Sequence, residues 1–228
     1  MAYRRTAAAA VLQTGDALTH ALVGIGINLA SKPTPGRNIE DTLLAASVEG
    51  VDHGDLRLLA LLTTWLGVHV PWVNVDRLTR AVVAHESPRV RVYWSAVARW
   101  LHKDRRFARL ARLYRGPRVD LLPVGTDFQV RRRGEDERFA STCLCVPAGV
   151  LRDRKHDVLT PAQLARRHHV YRQRVLMGPS YRADMWAALD AEPSLSAAEL
   201  ARRTYGSFAT AWQVKNDYRL LADVEPGS

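Results

Sequence analysis

Two cysteines and several histidines are the side chains of this sequence best suited to hold a metal ion. Cys143 and Cys145 are two positions apart, so on a strand they would point to the same side, and His156, His168 or His169 could complete a zinc site. A C-x-C pair without a second matched pair is more typical of small apolar cysteines on a buried strand face. We therefore expect no metal and no other cofactor.

Motifs for the common hydrolytic reactions are missing from the sequence. Asp52-His-Gly-Asp55 supplies two carboxylates, but it lacks the upstream glycine-serine motif of a nucleotidyltransferase and is better interpreted as the cap of the next helix. The sequence has no phosphate-binding glycine loop, no GxSxG and no HExxH. These absences favour a protein that is not an enzyme.

An arginine and a histidine five positions apart define the enzymatic alternative. The spacing of Arg80 and His85 resembles that of a class of helical ribonucleases. The resemblance implies that the two side chains act on the 2′-hydroxyl and the phosphate of RNA. Such a pair arises easily by chance in a chain with 29 arginines. An RNA-binding protein or ribonuclease that uses these residues stays open as a second hypothesis.

The last fifty residues carry the most specific local signals. Residues 181–189 favour a helix, and Ser196-Ala-Ala-Glu199 is a capping box that begins a second, short one. Tyr205-Gly206 supplies a residue that tolerates left-handed geometry after that helix. Ser207 can then cap a final helix over 208–221. The order predicts a helix-turn-helix.

The outward positions of the final helix carry polar groups that can bond to base edges or phosphates in a major groove. These residues are Ser207, Thr210, Gln213, Lys215 and Asn216. Three further residues can hold the DNA backbone, namely Arg182, Arg202 and Arg203.

The segment resembles helix-turn-helix transcriptional regulators through Ala198-Glu199-Leu200-Ala201-Arg202-Arg203 and the helix after Ser207. Its turn glycine, Gly206, stands one position later than the spacing from Ala201 would give in that family. The resemblance implies that the final helix enters the major groove of duplex DNA.

A looser resemblance concerns the order of a basic helical body followed by Gly178-Pro-Ser-Tyr-Arg-Ala-Asp184 and a helix-turn-helix. It is similar to the regulators and antitoxins that accompany abortive-infection nucleotidyltransferase toxins. It implies a cognate toxin as a partner besides DNA. The resemblance covers about a fifth of the chain and does not extend to residues 1–150.

A basic segment precedes the middle of the chain. Residues 86–119 hold ten basic and two acidic side chains, whereas residues 1–85 hold seven of each. An amphipathic helix would place Arg105, Arg109 and Arg112 on one side, at i, i+4 and i+7. Such a stripe can follow a phosphate backbone, and an acidic partner protein would fit it equally well. The aromatic residues near this stripe that could stack on bases are Trp94, Trp100 and Phe107.

Helical patterns account for most of the elements that must position these residues. The predicted helices cover parts of 7–30, and 39–46, 55–65, 74–83, 87–102 and 161–176. Short strands are expected over 119–124, 128–133 and 138–146, with a hairpin turn at 134–136. The fold class is therefore mainly α with a small antiparallel β insert and a C-terminal helix-turn-helix.

The predicted domains are a mainly helical domain over 1–150, a linker and connecting helix over 151–178, and the helix-turn-helix unit over 179–228.

Composition and charge place limits on the class of protein. The chain has 228 residues, of which 47% are hydrophobic and 25% charged, so it is neither disordered nor fibrous. Two cysteines indicate a reducing compartment, and the apolar run near the start is too short to span a membrane, so we expect a cytoplasmic protein. The net charge of +10 favours a polyanionic partner.

These observations predict a DNA-binding transcriptional regulator or antitoxin-like protein that acts by occupancy. A homodimer is expected on symmetry grounds, since one recognition helix contacts few base pairs. A third hypothesis is a non-catalytic protein-interaction module with a basic surface.

Overall fold

The computed structural model describes residues 12–33 and 38–224. These residues confirm the mainly helical fold, and their one sheet has two strands of two residues each. The α-helices, in chain order, are α1 Gly15–Gly24, α2 Ile39–Val51, α3 Leu56–His69, α4 Val75–Ala84, α5 Pro88–Trp100, α6 Ala108–Ala111, α7 Thr126–Arg133, α8 Pro161–Arg167, α9 His169–Met177, α10 Tyr181–Ala191, α11 Ala197–Arg203 and α12 Phe208–Val224.

The chain divides into two compact units. The large unit comprises described residues 12–33, 38–70 and 75–159, and the small unit comprises residues 71–74 and 160–224. None of the helices in the described ranges is long and apolar enough to cross a membrane.

Helix α2 packs against α1, α3, α4 and α5 in the large unit, and eleven of its thirteen residues are buried. A helix that is buried on all sides must find partners for its polar side chains. Asp41 forms a buried ion pair with Arg77 of α4, and Ser47 Oγ accepts a hydrogen bond of 2.9 Å from Trp94 Nε1 of α5. These two contacts fix how α4 and α5 lie against α2.

Two predicted helix starts are confirmed by capping hydrogen bonds. The Asp55 carboxylate accepts from the amide of Leu58 at 2.9 Å, and Ser87 Oγ accepts from the amide of Val90 at 3.2 Å. Helix α3 extends to His69, beyond the predicted end at residue 65, because its last turn also faces the core.

Two aromatic side chains at the end of α3 connect this helix to other segments of the large unit. Trp65 Nε1 donates to the carbonyl of Ile25 at 2.8 Å, and the Trp65 ring stacks on His69 with centroids 4.6 Å apart. His69 Nε2 lies 3.0 Å from the carbonyl oxygen of Leu159. The amide of Leu159 in turn donates a hydrogen bond to the carbonyl oxygen of Gly26. Segments distant in the sequence are thus joined at one buried point.

The prediction of a three-stranded antiparallel insert is wrong. The strands are β1, Val119–Asp120, and β2, Leu144–Cys145, and they are parallel, with Val119 opposite Leu144. A hairpin cannot join parallel strands, and the connection here contains α7.

Residues 128–133, predicted as a strand, belong to α7. The helix begins after Gly125, which has a φ of +80°, and ends at Gly134, which has a φ of +77°. Asp127 in its first turn and three arginines in its last turn both interact favourably with the helix dipole. The short alternation of Phe128 and Val130 resembled a strand because it covers less than one helical turn.

In the small unit, a helix that the sequence pattern predicted as continuous is broken between α8 and α9. The Thr160–Gln163 capping box is present, but the expected single helix divides into α8 and α9 at His168. His168 is extended, and its Nδ1 accepts from the amide of Tyr171 at 3.1 Å, so it caps α9.

A buried ion pair attaches α9 to α10. Arg174 Nε and Nη2 donate to the two carboxylate oxygens of Asp184 at 2.7 and 2.9 Å, and Arg174 Nη1 donates to the carbonyl of Trp72 at 3.1 Å. The Arg174 side chain is fully buried. A paired, bidentate arrangement of this kind satisfies charges that would be costly to bury alone.

We predict that His69 makes the stability of the large unit depend on pH. Burial lowers the pKa of His69 from 6.5 to about 4, so between these values the unfolded chain binds a proton that the folded protein does not. The free energy of unfolding should therefore fall as the pH falls from about 6.5 to 4, by up to about 3 kcal/mol.

Denaturant unfolding of the wild type and of His69→Gln across this pH range measures the effect. The variant removes the titrating group, so its stability should change less with pH. Equal pH dependence of the two proteins would show that His69 is not responsible.

Candidate functional site

The last three helices pack around a common apolar core. Its buried members are Met185, Leu189, Leu195, Leu200, Ala211 and Val214. Ala201 packs against this core, as expected for a small residue where α11 and α12 cross. The Trp186 and Tyr218 rings add a contact between α10 and α12, with centroids 5.1 Å apart. The face of α12 that carries Ala211 and Val214 is therefore committed to the core.

The turn between α11 and α12 has an unusual backbone. Tyr205 adopts the left-handed conformation with a φ of +58°, whereas Gly206 does not. A Cβ atom at Gly206 would lie only 2.2 Å from Cε of Met185, so a side chain there would force the end of the buried Met185 side chain to move. The left-handed conformation falls on Tyr205, the residue before it, where it costs free energy that a glycine would not lose.

Three of the five polar residues predicted to face DNA on α12 are engaged within the chain. Ser207 Oγ accepts from the amide of Thr210 at 3.0 Å, and their hydroxyl oxygens are 2.6 Å apart. Lys215 Nζ donates to the carbonyl of Leu195. Ser207 thus caps α12 as predicted, and Lys215 ties α12 to the segment before α11.

Gln213 and Asn216 are the two predicted residues with uncommitted amide groups. Gln213 is exposed and Asn216 half-buried, and both lie on the side of α12 away from Ala211 and Val214. Across residues 12–33 and 38–224 neither side chain makes a hydrogen bond. Their donors and acceptors are available to an external partner.

Two aromatic residues on the same side of α12 were missed by the sequence analysis. Phe208 and Trp212 are 59% and 58% exposed. They are four residues apart, so their rings lie on neighbouring positions of one helix face. Aromatic residues at helical spacing usually belong to a core, and only the packing of α12 shows that these do not.

The arginines predicted to hold the DNA backbone are all paired with carboxylates. Arg182 is 2.8 Å from Asp217, and Arg203 is 2.6 Å from Glu192. Arg202 and Arg203 also bind Glu199 at 2.5 and 2.8 Å, and they lower the pKa of that carboxyl group to about 2.

The second half of the predicted capping box is wrong. Ser196 Oγ does accept from the amide of Glu199 at 3.1 Å, but the Glu199 carboxylate binds the two arginines and does not reach back to the start of α11. A charged guanidinium is a stronger partner for a carboxylate than a backbone amide.

The predicted arginine stripe does not lie on one continuous helix. Helix α5 ends at Trp100, and a 3-10 helix over Arg105–Phe107 leads into the short helix α6. Asp104 starts this new segment, because its carboxylate accepts from the amide and the guanidinium of Arg106. Phe107 and Leu110 are buried beneath it.

The three arginines of that stripe are nevertheless exposed, and in the described part of the chain none of their guanidinium groups forms an ion pair or hydrogen bond. They are Arg105, Arg109 and Arg112. By contrast, residues 179–228 contain five basic and seven acidic side chains. Residues 179–228 therefore contribute no net positive charge.

The residues of the ribonuclease hypothesis have structural partners. Arg80 forms an ion pair of 3.0 Å with Asp76 on α4. His85 follows the end of that helix, and its Nδ1 accepts from the amide of Ser87 at 3.2 Å. Both side chains are thus engaged in stabilising the end of α4 and the start of α5.

The cysteines and the paired aspartates also have structural partners. Cys145 Sγ donates to Glu135 at 3.3 Å, and burial raises the pKa of this thiol to about 11, which disfavours a metal-binding thiolate. Asp52 accepts from Ser87 Oγ at 2.8 Å. Within residues 12–33 and 38–224, no group of three His, Cys, Asp or Glu side chains is placed to hold a metal ion.

Comparison of the chain with protein-family models, with curated proteins and with solved structures finds no match in any of the three.

We predict that Gly206→Ala destabilises the small unit by about 1–3 kcal/mol, because its Cβ atom would overlap the buried end of Met185. Chemical denaturation measures the change. In a Met185→Leu background, which removes Cε, the same substitution should cost less. Gly67→Ala is the control, since its Cβ would lie at an ordinary 3.7 Å from Trp100. An equal cost in both backgrounds would contradict the proposed overlap.

Proposed function

We propose that this protein binds duplex DNA through the outward face of α12 and acts by occupancy, as a transcriptional regulator or an antitoxin-like protein. The observation that carries the proposal is the pair of uncommitted amides on this face, Gln213 and Asn216. They lie opposite the core residues Ala211 and Val214, so α12 can approach a partner without unfolding its unit.

The chemistry of these side chains suits the edges of base pairs. A glutamine or asparagine amide presents a donor and an acceptor together, which matches N6 and N7 of adenine in the major groove. Helix α12 has 17 residues, a length of about 25 Å, and the major groove is wide enough to admit an α-helix. Its capped start, at Ser207, is the end that a recognition helix directs towards the bases.

Phosphate attraction must come mainly from outside residues 179–228, where acidic side chains outnumber basic ones. The exposed cations Arg105, Arg109 and Arg112 of the large unit supply it in this proposal. Each would displace counterions from the DNA backbone, which makes binding salt-dependent without adding sequence information.

The two alternatives have less support. The ribonuclease hypothesis needs Arg80 and His85 to act on RNA, whereas Asp76 and the amide of Ser87 already engage them. A protein-interaction module would make no use of the free amides on α12, although the apolar side chains there would suit it. A two-fold homodimer on a palindromic site, and a cognate toxin as a second partner, belong to the proposal as its biological setting.

We expect Gln213→Ala to relax sequence preference by about 1–3 kcal/mol at one position of the preferred site, while leaving binding to unrelated duplexes almost unchanged. The measurement is fluorescence anisotropy with promoter-region DNA, random duplex and single-stranded RNA over a salt series. Gln129→Ala, a half-buried glutamine on α7, is the matched control. An equal loss for all sequences would refute the assignment of α12 as the recognition helix.

We expect Arg109→Ala to weaken binding to all duplexes by a similar factor and to lower the slope of log affinity against log salt by about 1. The same anisotropy series measures this. Arg57→Ala is the control, because Arg57 is also exposed but lies in residues 1–85, which carry no net charge. An unchanged salt slope for Arg109→Ala would remove the α6 region from the interface.

A further inference from the structure

Phe208 and Trp212 form an aromatic pair on the first two turns of α12. More than half of each side chain is exposed, although nearby positions bury even alanine. In the described part of the chain neither ring contacts another aromatic ring or a cation. Two large exposed aromatic side chains, side by side, indicate a surface that binds something.

The pair lies among polar residues on the same outward face. At 100° per residue, Phe208, Trp212 and Asn216 follow one another along this face, with Gln213 beside them. An interface made only for a second apolar helix would not place free amides next to its anchors, because each would lose hydrogen bonds to water on burial. Apolar contacts beside amide donors and acceptors match the major groove, where polar base edges lie next to thymine methyl groups.

We propose that Phe208 and Trp212 recognise the 5-methyl groups of thymine in the DNA site. The inference depends on the proposed DNA binding and adds the chemical feature that is recognised. The two Cα atoms are about 6 Å apart along α12, close to two base-pair steps of about 3.4 Å. The preferred site therefore contains thymines about two steps apart beneath the start of α12, and adenines beneath Gln213 and Asn216.

Deoxyuridine provides the test, since it differs from thymidine only by the missing methyl group. The protein selects its preferred duplex from a random-sequence library, and that duplex is then synthesised with thymine or with uracil. We expect the uracil duplex to bind the wild type more weakly, by about fourfold for each buried methyl group. Fluorescence anisotropy measures both affinities.

Variants assign the methyl contact to individual side chains. Phe208→Ala and Trp212→Ala should each bind the thymine duplex more weakly and lose part of the difference between the two duplexes. Gln213→Ala should keep that difference. Leu220→Ala, which removes an exposed apolar side chain near the other end of α12, should also keep it. All four side chains lie outside the core, so circular dichroism should show unchanged helix content.

Failure of the inference and failure of the proposed function give different results. A library that yields no preferred sequence overturns both. A preferred duplex that binds equally with thymine and uracil overturns the methyl contact and leaves DNA binding intact. Full methyl discrimination by Trp212→Ala and Phe208→Ala would overturn their assignment. Unchanged DNA binding together with lost self-association in sedimentation would show that the pair is a protein interface.

Discussion

The burial of Ala211 and Val214 is the constraint on which the candidate site depends. These two small side chains fix one face of α12 against α10 and α11, and the helical repeat then determines which residues remain outside. Phe208, Trp212 and Gln213 are exposed as a result, and Asn216 keeps part of its surface accessible. The composition of the outward face is therefore a consequence of core packing, and any change of the core would rotate different side chains towards a partner.

The positive charge of the chain is not concentrated on the helices that carry the candidate site. The arginines beside α12 are neutralised by Asp217, Glu192 and Glu199. The guanidinium groups of Arg105, Arg109 and Arg112 have no such partners in the described residues. Paired surface charges contribute little to long-range attraction, because the field of each ion is cancelled by its neighbour. In the proposed function, base recognition and phosphate attraction are consequently carried by different parts of the chain. This division would let recognition by α12 rest on direct contacts rather than on general affinity for polyanions.

The sequence predicted what short-range chemistry determines. Caps at Asp55, Ser87, Thr160 and Ser207 marked helix starts correctly, because a capping bond joins residues three positions apart. It failed at the sheet, where β1 pairs with β2 across 23 intervening residues, and at Asp104, whose local cap interrupts the expected arginine-bearing helix. Of the α12 residues, Gln213 and Asn216 could be predicted from periodicity. Phe208 and Trp212 could not, because an aromatic residue at helical spacing has the same pattern in a core as on a binding surface.

The turn before α12 shows how the start of the helix is held. Gly206 lies against the end of the buried Met185 side chain, and Tyr205 before it has a left-handed backbone. Ser207 then caps the helix, and Lys215 binds the carbonyl of Leu195 two turns further on. The stretch between these contacts carries Phe208, Trp212 and Gln213. Because this backbone is restrained at both ends, its ordering entropy is lost on folding and not on binding, which would favour the proposed base recognition.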